Sequence, residues 1–105
     1  MCDQTDTDTI KKTWNENLFQ QAVDKWGRQF QIDMMIEECA ELISALSKLK
    51  RKHHPADTAS LINDICEEIA DVQIMVNQMK LIFGPKEVDD WQTVKMERLR
   101  DLLNR

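Results

Sequence analysis

Apolar residues recur along this chain at the three- and four-residue spacing of amphipathic helices, and the two-residue alternation of a strand is nearly absent. Trp14, Leu18, Phe19, Ala22 and Trp26 trace a first helix from about Thr13 to Gly27. A second is expected from Arg28 to Lys52, with Met34, Met35, Ile36, Cys39, Leu42, Ile43, Ala45, Leu46 and Leu49 as its apolar residues, ending before His53-His54-Pro55. A third follows that proline, capped by Asp57, Thr58 or Ser60, and continues to Phe83, where Gly84-Pro85 is a strong stop. The fourth runs from about Lys86 to Leu103 and carries Val88, Trp91, Val94, Leu99 and Leu102.

The expected fold is therefore all-α, a four-helix bundle. A short connection makes its two central helices antiparallel neighbours. Residues 1–10 hold no apolar periodicity and read as a disordered lead, so the helical domain is placed at 11–105. The length suits one hydrophobic core. The apolar sectors of the second and third helices each span roughly half the helix circumference, wider than a one-sided surface helix needs. That surplus predicts a subunit interface, in a homodimer or a dimer of dimers (a homotetramer).

Composition narrows the partners. A net charge of −5 argues against nucleic acid, which is usually met by clustered Lys and Arg. The basic run Lys48, Lys50, Arg51, Lys52 reads as cations complementing a helix C-terminus. No apolar run is long enough to span a membrane, and the polar start does not resemble a signal peptide. Three scattered cysteines, Cys2, Cys39 and Cys66, form neither a zinc spacing nor a disulfide framework, which fits a reducing, cytoplasmic setting.

The chemistry lies in a near-repeat. Glu37-Glu38-Cys39-Ala40-Glu41-Leu42 is echoed thirty positions on by Glu67-Glu68-Ile69-Ala70-Asp71-Val72. Residues three apart share a helix face, so Glu38 projects with Glu41 and Glu68 with Asp71. On the helical wheel Glu38 falls inside the apolar stripe, near Met34, Leu42, Ala45 and Leu49, and Glu68 falls near Leu61, Val72, Met75 and Met79. Packing the two stripes together gathers four acids at one level. Two unit charges about 5 Å apart repel by about 3 kcal/mol at an effective dielectric near 20, so the acids either hold protons or share a divalent cation. An all-oxygen donor set points to Mg²⁺, with Mn²⁺ as a substitute. A single ExxE is usually solvated surface; two copies inside apolar stripes are not. A di-iron bundle would place His three residues after Glu, which no Glu here has. His53 and His54 sit in the predicted loop.

The pattern Glu37-Glu38-x-x-Glu41 followed by Glu68-x-x-Asp71 resembles the MazG-like nucleotide pyrophosphohydrolases of the all-α nucleoside triphosphate pyrophosphatase superfamily. The likeness runs from Trp26-Gly27 through both acidic motifs to Lys95-Met96-Glu97-Arg98. It implies Mg²⁺-dependent hydrolysis of a nucleoside triphosphate between the α and β phosphates, giving the monophosphate and pyrophosphate, as in nucleotide-pool house-cleaning. Carried over by motif position, Glu38, Glu41, Glu68 and Asp71 are metal ligands and Glu37 is a water-activating base or an outer-shell group. Lys95 and Arg98 resemble basic residues that neutralise the phosphate tail, and Trp26 resembles a tryptophan that stacks on the nucleobase, a core packing role being the alternative for it. Trp14 and Phe19 read as packing. Where dCTP-specific members place Asn, this chain has Leu99, a departure that puts dCTP specificity in doubt and leaves open which base or sugar the pocket accepts. The rival readings are a non-catalytic helical nucleotide- or metal-binding module and a plain helical oligomer whose acids pair with Lys or Arg across an interface.

Overall fold

The computed structural model describes residues 17–51 and 55–105, which form helices and no strand. Helix α1 covers 17–26, α2 Arg28–Arg51, α3 Pro55–Phe83 and α4 Pro85–Leu103. The expected lead at 1–10, Trp14, Lys52, His53 and His54 lie outside the described residues.

Glycine and proline set the breaks. Gly27 has φ 87°, a left-handed conformation that costs glycine little. Its N–H closes on Val23 (2.9 Å) while its carbonyl accepts from Gln31 (3.1 Å), so one residue ends α1 and opens α2. Gly84 does the same between α3 and α4 at φ 139°, and a Cβ there would run into the Glu87 side chain. Pro85 then occupies the first turn, where a missing N–H costs nothing. The same rule moves the start of α3. The sequence predicted a cap at Asp57, Thr58 or Ser60, but the helix begins at Pro55, so all three lie within its opening turns.

Helices α2 and α3 pack antiparallel, as predicted. Gln31 meets Gln78, Glu41 lies with Glu68, and Ala45 and Lys48 share a cavity with Leu61 and Asp64. Among the described residues, Ile65 and Met75 are the buried apolar side chains and Gln31 and Gln78 the buried polar ones. Leu18, Phe19, Ala22 and Trp26 of α1 line a groove together with Ile74 and Gln78 of α3.

Helix α4 does not close around this core. It approaches α3 beside their shared turn, where Lys80 Nζ pairs with Asp89 at 2.7 Å, and its backbone stays more than 8 Å from that of α2, Cα to Cα. None of its residues is buried. Trp91 is 64% exposed, Leu99 48% and Leu103 76%.

Candidate metal centre

Three of the four acids expected to hold a metal, Glu38, Glu41 and Glu68, converge on the α2–α3 seam, and Asp71 is not part of that group. One carboxylate oxygen from each of Glu38, Glu41 and Glu68 lies within 4.8 Å of the others. Helical spacing explains this: Glu38 and Glu41 stand one turn apart on α2, and antiparallel packing brings Glu68 of α3 against them. Glu41 is exposed at the mouth, whereas Glu38 and Glu68 are half-buried. Asp71, also half-buried, adds its charge to both.

Two atoms carry the electrostatic argument. Glu38 Oε2 and Glu68 Oε2 are both shielded from water and lack a hydrogen-bond partner. A buried carboxylate oxygen without a donor is costly, so the group protonates or meets a cation. The Glu38 carboxyl is held above the ordinary carboxylate range by desolvation first, then by the negative charges of Glu41 and Asp71, a hydrogen bond with Glu41 and the charge of Glu68. Glu68 is raised by desolvation, then by Glu41 and Asp71, a hydrogen bond with Glu41, and the charge of its neighbour Glu67. Carboxylates close together, with open lone pairs and no nitrogen or sulfur donor, match the oxygen preference of Mg²⁺ or Mn²⁺.

The other sequence-predicted residues are not gathered at this point within one chain. Glu37 is exposed on α2. Lys95 lines a broad groove between α3 and α4, its Nζ 6.0 Å from the centre of the Trp91 ring, and Arg98 is exposed on α4. Trp26 is 52% exposed at the end of α1, with Lys25 Nζ 5.3 Å from its ring centre. It lines the α1–α3 groove of about 620 Å³ together with Phe19 and Gln78.

Beside the acids the structure brings in residues that the sequence had not singled out for chemistry. A small cavity of about 220 Å³ is lined by Glu41 and Glu68 with Ser44, Lys48, Asp64 and Glu67. Lys48, read from sequence as a cation near a helix end, lies seven residues past Glu41, and that spacing was the available clue.

No family model matches this sequence, and no curated protein or solved structure is significantly similar to it.

Proposed function

We propose that this chain is a Mg²⁺-dependent nucleoside triphosphate pyrophosphohydrolase of the MazG type, acting on a ribo- or deoxyribonucleotide. The observation that carries the reading is the pair of buried, unpartnered Oε2 atoms of Glu38 and Glu68, in carboxylates that each bring one oxygen within 4.8 Å of an oxygen of Glu41. Glu38, Glu41, Glu68 and Asp71 would hold the ion, with Mn²⁺ as a substitute. A bound divalent cation supplies Lewis acidity that offsets charge on the phosphates. Glu37 takes the proton of the attacking water. The water oxygen bonds to the α phosphorus, the bond to the bridging α–β oxygen breaks, and the products are the monophosphate and pyrophosphate.

Assembly belongs to the same reading. The cavity beside the acids is smaller than the ~300 Å³ at which small-molecule pockets begin. One protomer thus encloses at most the phosphates. The uncovered apolar side chains of α4, Trp91, Val94, Leu99 and Leu102 among them, support a homodimer or homotetramer. In that assembly Lys95 and Arg98 meet the phosphate tail of a site on another copy and Trp26 stacks on the base.

The separation of Lys95, Arg98 and Trp26 from the acids favours a second reading, a non-catalytic module that binds metal or nucleotide. The two are distinguished by pyrophosphate release from a panel of ribo- and deoxyribonucleoside triphosphates, with Mg²⁺, Mn²⁺ or EDTA and with Glu41→Gln as control. Metal-dependent formation of monophosphate and pyrophosphate, lost in the variant, is expected. No turnover across the panel, with metal binding intact, would favour the binding module.

A further inference from the structure

The α2–α3 seam buries two amides among methionines. Gln31 and Gln78 are 3% and 5% exposed, and Gln31 Nε2 donates to Gln78 Oε1. Gln78 Nε2 turns to Met75 Sδ at 3.7 Å, a weak acceptor. Such a pair contributes little net stability, because apolar side chains of similar volume can replace a hydrogen-bonded pair at small cost or none. It does discriminate between alignments. The two amides are satisfied only when they face each other, whereas the half-buried side chains of Met34, Met35 and Met79 can repack around several registers.

Spacing links this pair to the acids. Glu38 stands seven residues after Gln31 on α2, and Asp71 stands seven before Gln78 on α3. Seven residues are two turns, about 10 Å of rise, and return to nearly the same face. The alignment that joins the amides therefore sets Glu38 level with Asp71 and Glu41 level with Glu68. On the other side of the acids the short connection from Arg51 to Pro55 ties the helices together. The acids thus lie between the Arg51 and Pro55 helix ends on one side and the amide pair on the other.

We propose that Gln31 and Gln78 are positioning residues, whose hydrogen bond sets the register of α2 against α3 and thereby the mutual placement of Glu38, Glu41 and Glu68. The register role stands on packing alone, and its consequence for metal rests on the metal-centre reading above.

The test is the Gln31→Leu/Gln78→Leu double variant, which leaves no amide stranded. Spin labels at Asp33→Cys and Asn77→Cys, both exposed sites, report the register by pulsed dipolar spectroscopy. Native cysteines are replaced by serine, and unlabelled protein is added in excess to suppress distances between copies. With the amides present, one narrow distance distribution is expected. With the leucines, the distribution should broaden or move by about 5 Å, one helical turn, at unchanged helix content, and Mn²⁺ affinity should fall about tenfold. Identical distributions in the two backgrounds would overturn the proposal. A changed distribution with unchanged Mn²⁺ affinity would overturn the link from register to the acids. A changed distribution in a protein that binds no Mn²⁺ even with its amides would support the register role and refute the metal-centre reading instead.

Discussion

Replacing Glu38 by Gln keeps the shape of the side chain and removes one charge from the cluster, and the sign of its effect should depend on metal. At 4.8 Å, the distance within which the cluster's oxygens all lie, two unit charges repel by ~3.5 kcal/mol at an effective dielectric of 20 and by ~0.9 kcal/mol in water. Glu41 is exposed and Glu38 and Glu68 are half-buried, so solvent screening favours the lower part of that span. A gain of about 1–2 kcal/mol is expected for metal-free Glu38→Gln at pH 8, which is roughly 4–15 °C in melting temperature for a domain of this size. Saturating Mg²⁺ should reverse the order, because a ligand at 100 times its Kd stabilises the native state by about 2.7 kcal/mol and the variant lacks one of its ligands. The assay is thermal unfolding by circular dichroism in EDTA and in Mg²⁺, at one fixed protein concentration because assembly also shifts the midpoint. A variant that melts below wild type in EDTA, with an undiminished response to Mg²⁺, would refute this reasoning.

Three further outcomes follow from the same structure. Glu38 and Glu68 bind protons more tightly folded than unfolded, so their contribution to metal-free stability is fully present below the ordinary carboxylate range near pH 4 and is lost as pH rises through their raised pKa values. The melting-temperature difference between wild type and Glu38→Gln/Glu68→Gln in EDTA should therefore shift against wild type from pH 5 to pH 8, and a flat difference would contradict the shifts. Gln78→Leu alone strands the buried Gln31 amide at a cost of about 1–3 kcal/mol, which the added Gln31→Leu should largely restore in urea unfolding; a double variant no better than the single one would count against it. Trp91→Glu with Leu99→Glu should reduce the sedimenting mass to that of one protomer, and an unchanged mass would exclude this face of α4 from the interface.

Helix limits and the acidic cluster were legible because local rules govern both. Pro85 and the two glycines mark breaks by their own backbone chemistry, and the three-residue spacing of Glu38 and Glu41 fixes a shared face whatever packs on it. The start of α3 differs from the expected cap because polar residues after Pro55 resemble caps, while the proline itself is suited to the first turn. A helical wheel shows that Trp91, Leu99 and Leu102 share a stripe but not what covers it, so the bundle expected around α4 is not what the single chain forms. The burial of Gln31 and Gln78 is not legible in the sequence, because a hydropathy pattern counts glutamine as surface. Only their pairing across the seam makes their burial tolerable.

The most direct test of the central claim, that the acids between α2 and α3 form a divalent metal centre, is calorimetric titration of Mn²⁺ into metal-free protein at pH 8, for wild type and for Glu38→Gln/Glu68→Gln. The account predicts saturable binding to the wild type, accompanied by proton release, and its loss in the variant. Equal binding in both proteins, or none in either, would contradict it.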